Sequence, residues 1–101
     1  MSYDVLLAYG SDEDFHKLDG SQKIQVLKSF AKIEKHGMLA GERLKGKLSD
    51  CSKLKHKRLG LRVVFRERDE VIEVIEIVVV GKRTDAEVYA TAEKRLGRCG
   101  R

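Results

Sequence analysis

The sequence predicts an α+β domain: a small antiparallel sheet of about four strands, with two N-terminal helices and one C-terminal helix. Three observations predict it. Residues 53–66 (KLKHKRLGLRVVFR) alternate apolar and basic side chains with the period of two that belongs to strands. Residues 21–36 repeat apolar side chains at helical spacing. Thr84, followed three residues later by Glu87, marks a helix start just after a run of β-branched residues.

In chain order, Tyr3 to Tyr9 (YDVLLAY) reads as the first strand. Ser11 followed by Asp14 caps a short helix over SDEDFHKL. Ile24, Leu27, Phe30, Ala31 and Ile33 stripe a second helix from Ser21 to His36, which Gly37 terminates. Residues 40–50 (AGERLKGKLSD) have two glycines and no clean period, so they read as a loop. Next comes a hairpin. With Leu59-Gly60 as a two-residue turn, Lys57 pairs with Arg62, His56 with Val63, Lys55 with Val64, Leu54 with Phe65 and Lys53 with Arg66. Leu54, Leu61, Val63 and Phe65 then share one side and cover the helices. Lys53, Lys55, Lys57, Arg62 and Arg66 share the other, an open basic face. Arg68-Asp69-Glu70 makes the next turn. Val71 to Val80 forms the third strand of the meander, apolar on both faces as a central strand is, and Gly81 ends it. The final helix, TDAEVYATAEKRL, carries the stripe Val88, Ala92 and Leu96.

With 101 residues, no proline and no low-complexity stretch, residues 1–101 are expected to form one domain. The longest apolar run, VIEVIEIVVV at 71–80, is interrupted by Glu73 and Glu76 and is too short to span a bilayer. The first residues, MSYDVLLAYGSDED, lack the basic leader of a secretion signal. Cys51 and Cys99 are too sparse for a disulfide framework and read as reduced thiols of a cytoplasmic protein, and neither stands at metal-ligand spacing. No metal or other cofactor is expected.

The net charge of +5 is concentrated. Between Arg43 and Arg68 there are ten Lys or Arg against Asp50 and Glu67, which makes +8, whereas residues 1–42 carry −2 and residues 69–101 carry −1. Like charges crowded on one strand face repel, so such a patch implies a partner that supplies negative charge, a nucleic acid or an acidic protein.

The stretch RLKGKLSDCSKLKHKRLGLRVVF, followed by VVVGKRTDAEVYATAEKRL, adds a set of motifs in order. They are Leu44-Lys45-Gly46, then Asp50-Cys51, then lysines at alternate positions, then Gly60-Leu61-Arg62, then Gly81-Lys82-Arg83 and Glu87-Val88-Tyr89. This pattern resembles the RelE branch of the RelE/ParE superfamily of type II toxin-antitoxin toxins. The resemblance runs from about Leu44 to Leu96 and, more weakly, back to about Phe15. It implies a toxin that inhibits translation as a metal-independent endoribonuclease, cutting mRNA in the ribosomal A site. It implies as partners the mRNA, the ribosome with its 16S rRNA, and a cognate antitoxin, in a hetero-oligomer that binds operator DNA, with no membrane involved. The family's functional residues fall on Lys53, Lys55, Arg62, Arg83 and Tyr89.

These residue types suit the reaction. The ribose 2′-hydroxyl attacks the adjacent phosphorus, so one group must take its proton, another must protonate the departing 5′-oxygen, and charge on the transition state must be met. No carboxylate is expected on the basic face. Neighbouring cations push a lysine's pKa down, so Lys53 reads as the base and Lys55 as the acid or charge stabiliser. Arg62 and Arg83 offer paired hydrogen bonds to phosphate oxygens. Tyr89 orients the 2′-hydroxyl or stacks on a splayed base. Lys45, Lys47, Lys57, Arg58 and Arg66 read as RNA-binding charges that position phosphates without reading sequence. His56 falls on the core-facing side and reads as structural. Two rivals stand beside this reading: a ParE-like DNA gyrase inhibitor that acts by binding, and a catalytically inactive homologue that only binds antitoxin.

Overall fold

The computed structural model describes residues 3–68, 74–81 and 84–98. Five strands form one sheet: β1 (Asp4–Leu7), β2 (Glu42–Arg43), β3 (Cys51–His56), β4 (Leu61–Glu67) and β5 (Val74–Gly81). Three helices accompany them, α1 (Ser11–His16), α2 (Gly20–His36) and α3 (Asp85–Arg95), with short 3-10 turns at Gly37–Ala40 and Gly46–Leu48. The strand order is β1-β5-β4-β3-β2.

The α+β class holds, and the sheet is larger and more mixed than the sequence predicts. β1 runs parallel to β5, with Asp4 opposite Val74 and Leu7 opposite Ile77. β2 lies in the stretch read as a loop and pairs Glu42 with Lys53 and Arg43 with Ser52. A strand of two residues is too short to show a period. Its approach to β3 needs Gly41, where a Cβ would meet the Lys53 carbonyl oxygen at 2.4 Å.

The start of α1 also differs. Gly10, in the left-handed region at φ 92°, precedes the helix. Ser11 is buried and donates its hydroxyl to the Ile77 carbonyl at 2.8 Å, tying the helix to β5 instead of capping it. α2 begins with a capping box between Asp19 and Gln22 and stops at Gly37, whose φ of 61° suits glycine.

In the hairpin, the pairs are His56 with Leu61, Lys55 with Arg62, Leu54 with Val63 and Lys53 with Val64. The turn therefore holds four residues, Lys57 to Gly60, not two. His56 Nδ1 accepts the Leu59 N–H at 3.4 Å, and Gly60 takes a φ of 69° that an L side chain resists. A shift of two residues keeps the side chains within the strands on their sides, so the predicted alternation survives the change in register, while Lys57 leaves the strand face for the turn.

The basic side is not an open face. One layer packs Leu61, Val63, Phe65, Ile75, Ile77 and Val80 with Val26, Ile33 and the partly buried Phe15 and Phe30 of the first two helices. The other packs Cys51, Val64, Val78 and Val79 with Val88 and Ala92 of α3, and with Leu48. A bulge between Val64 and Phe65, opposite Val79 and Ile77, directs both Val78 and Val79 to the α3 side. β5 is thus buried on both faces, as its composition predicts. Val71, Glu73 and the turn Asp69-Glu70 lie outside the described residues. Cys51 is buried, which pushes its thiol up to about 12 and leaves it an inert core group, while Cys99 lies outside the described residues. No helix among the described residues is long and apolar enough to cross a membrane.

Candidate active site

α3 divides the basic side into two ends. Lys53, Lys55 and Arg62 stand near its N-terminus, where the β3–β4 pairing places Lys55 directly opposite Arg62. The Thr84–Glu87 capping box fixes where α3 begins. Asp85 and Tyr89, four residues apart, then share one helix face, and both reach Lys53. The Lys53 ammonium lies 5.7 Å from the centre of the Tyr89 ring and donates to Asp85 Oδ2 at 3.5 Å. Arg62 Nε donates to Asp85 Oδ1, and Arg62 Nη1 donates to the Gly60 carbonyl at 2.8 Å. Glu42, carried in by β2, stands 3.9 Å from the Lys53 ammonium.

The structure thus gathers Lys53, Arg62 and Tyr89 at one locus, with Lys55 exposed and paired across the strands with Arg62; Arg83 lies outside the described residues. The expectation that no carboxylate occupies this face is corrected by Asp85 and Glu42. So is the electrostatics. The Tyr89 oxygen, as hydrogen-bond partner, and then Asp85 hold the Lys53 ammonium above its ordinary value, against the opposing effect of burial. Neighbouring cations do not dominate, because an anion sits closer. Asp85 in turn is held below the usual carboxylate range, chiefly by Arg62 and further by Lys53. In the free protein Lys53 is a charged donor and a poor proton acceptor.

Beside Tyr89 lies a cavity of about 320 Å³, walled by Leu44, Leu48 and the tyrosine ring, with Arg43 and Lys45 and the carboxylates Glu42 and Glu93 also lining it. An apolar cleft with an aromatic wall and a rim of both charges suits a nucleobase, whose polar edge can meet either sign. On the α2 side, Lys28, Lys32, Lys55 and His56 line a second cavity of about 200 Å³.

The remaining predicted RNA-binding residues divide. Lys45, Lys47, Lys57 and Arg58 are exposed. Arg66 is not: it is 6 % exposed at the other end of α3, among Asp50, Glu76 and Tyr9. The bulge and the burial of β4 explain this, because Arg66 faces Glu76 across the strand pair. It joins a structural network with Arg98, which donates to both Asp50 oxygens and pulls Asp50 down to about 2. Among the described residues, no group of three His, Cys, Asp or Glu side chains is placed to hold a metal ion.

Asp85 and Glu42 are the two site residues that sequence reasoning misses. Asp85 had a signal, its four-residue spacing from Tyr89. Glu42 had none, because its strand is too short to be read.

No family model matches the chain. Among curated proteins it is 31% identical over 96 residues to a RelE-like toxin protein of Escherichia coli, covering 95% of this chain and 99% of that one. It is also 31% identical over 84 residues to the mRNA interferase toxin RelE of Escherichia coli strain K12, covering 83% and 86% of the two chains. Among solved structures it superposes on the Escherichia coli toxin RelE bound to a peptide of its antitoxin RelB. That match has a TM-score of 0.72 and 27% identity, over 91% of this chain and 95% of the other.

Proposed function

The chain belongs to the RelE family of toxins, and on that premise we propose that it is a cytoplasmic endoribonuclease, independent of metal, that cuts messenger RNA in the ribosomal A site. The observation that carries this reading is the convergence of Lys53 and Arg62 on a single anion, the Asp85 carboxylate, at the foot of α3, with Tyr89 against the Lys53 ammonium. Two cations arranged to grip two oxygens of one anion are arranged to grip a phosphate.

In the proposed reaction the 2′-oxygen attacks the adjacent phosphorus and the bond to the 5′-oxygen breaks, leaving a 2′,3′-cyclic phosphate and a 5′-hydroxyl. Arg62 and Arg83 stabilise charge on the non-bridging oxygens. Lys53, held protonated, donates to the departing 5′-oxygen. Proton acceptance from the 2′-hydroxyl falls to another group, and Lys55, opposite Arg62, is the other amine on that strand face. Tyr89 and its cavity hold a base splayed out of the message. The exposed Lys45, Lys47, Lys57 and Arg58 supply sequence-independent attraction to RNA. A cognate antitoxin would cover the apolar groove lined by Leu7, Phe15, Leu27 and Phe30, and bring acids to the basic residues.

The test is cleavage mapping on ribosomes carrying a defined message, comparing the wild type with Lys53→Ala, Arg62→Ala and Arg83→Ala. Cuts within the A-site codon that vanish in the variants support the reading. Absence of cuts with the wild type, or induction of DNA breaks in cells without loss of translation, overturns it in favour of gyrase binding.

A further inference from the structure

We propose that Asp85 is a built-in anion filling the seat of the substrate phosphate, and that a phosphate enters by displacing it. The identity of the substrate rests on the nuclease reading above; the exchange itself does not.

Three features carry the inference. Asp85 presents one oxygen to Arg62 Nε and the other to Lys53 Nζ, the contacts that two non-bridging phosphate oxygens would make. The exposures are unequal. The Lys53 and Arg62 side chains are 12% and 13% exposed, whereas that of Asp85 is 42% exposed, so the carboxylate is the member free to move into solvent. Its departure leaves α3 intact, because the helix start is held by Thr84 and Glu87 and not by Asp85.

The occupied seat has two effects. Between substrates, the cations are neutralised, so their mutual repulsion is relieved and Lys53 stays charged. During binding, every phosphate must first compete with an internal carboxylate. A small phosphate with only this seat to hold it is disfavoured. A long RNA, which gains from Lys45, Lys57 and Arg58 as well, overcomes the competition. Asp85 thus selects for an extended polyanion over a free one.

The probe is inorganic phosphate, titrated against the wild type, Asp85→Asn and, as a charge-matched control on the far side of the sheet, Glu34→Gln. The Arg62 Nε–H resonance reports occupancy. Asp85→Asn is expected to bind phosphate roughly three- to fivefold more tightly than the wild type, the upper part of the range set by loss of a partly exposed ion pair. Glu34→Gln should stay within about twofold of the wild type. In the wild type, the Asp85 carboxyl carbon should shift toward its free-carboxylate position as phosphate is added, a readout that needs no variant. Asp85→Asn binding no better than Glu34→Gln, an unmoved Asp85 resonance, or no phosphate binding by any of the three overturns the proposal. RNA cleavage plays no part in these measurements, so a failure of the nuclease reading is scored separately.

Discussion

Asp14 and Arg95, 81 residues apart, are joined by two hydrogen bonds of 2.7 and 3.0 Å. The same carboxylate accepts the Val80 N–H at 3.1 Å, and Arg95 also donates to the Val78 carbonyl at 2.9 Å. One pair therefore fastens α1 and α3 to opposite sides of β5. Asp14→Asn keeps the shape, removes the charge and leaves a largely covered guanidinium without its anion. It should cost about 2 kcal/mol in urea unfolding, below the value for a fully buried pair because Arg95 keeps some contact with water.

The lowered pKa of Asp50 sets an acid limit. Because its folded value, about 2, lies below the ordinary 3.8, its pairing with Arg98 contributes stability above pH ~4 and loses it as pH falls toward 2. Asp50→Asn should flatten the pH dependence of the unfolding midpoint between pH 4 and 2. An unchanged slope would assign the acid transition to other carboxylates.

The pH dependence of cleavage separates proton donation from proton acceptance at Lys53. If it is the general acid, the rate holds as pH rises and falls only as the ammonium loses its proton, while Lys53→Ala loses about 10²–10³ and Lys53→Arg, which surrenders a proton poorly, rescues little. If it were the base, the rate would instead climb with pH until the amine is neutral. Single-turnover rates on ribosome-bound message decide between these outcomes.

Tyr89 combines a ring and a hydroxyl, and the two should part in kinetics. Tyr89→Phe retains the wall of the cavity and the contact with Lys53, so KM should change little while kcat falls about tenfold or more. Tyr89→Ala removes the wall too and should raise KM by the ~1–3 kcal/mol that base stacking contributes.

Gly41→Ala places a methyl group against the Lys53 backbone. The contact is with main chain and cannot be relieved by a rotamer, so β2 must separate from β3 or the strand carrying Lys53 must shift. The thermal midpoint should drop by several degrees, consistent with a cost of ~2 kcal/mol. Cleavage should fall with it, because Glu42 and Lys53 are cross-strand partners.

What the sequence disclosed followed the strength of each local pattern. The span of α2, the Thr84–Glu87 start of α3 and the two-sided apolar content of β5 survive in the structure. The α2 stripe is corrected: Ile33 is buried and Phe30 partly so, whereas Ile24, Leu27 and Ala31 face outward and Val26 takes the buried place. The sides of the hairpin survived a turn of the wrong length because strand alternation tolerates a two-residue shift. The parallel pairing of β1 with β5 had no local signature; it is a contact between distant segments. Ser11 has the residue type of a cap and is used instead as a donor to β5. At the site, residue types and the resemblance singled out Lys53, Lys55, Arg62 and Tyr89. The sign of the Lys53 perturbation was out of reach, because it depends first on the Tyr89 oxygen and then on Asp85, both brought in by α3 from distant positions of the chain.

The parallel pairing of β1 and β5 also bears on biosynthesis. Asp4 finds its strand partner at Val74, so β1 emerges during synthesis well before the strand that sheathes its inner edge. Until then the nascent chain has neither α3 nor the carboxylate that Arg62 and Lys53 share. With this order of assembly, the cluster of Arg62, Asp85 and Lys53 closes only after α3 has emerged, and a chain terminated before β5 and α3 lacks it.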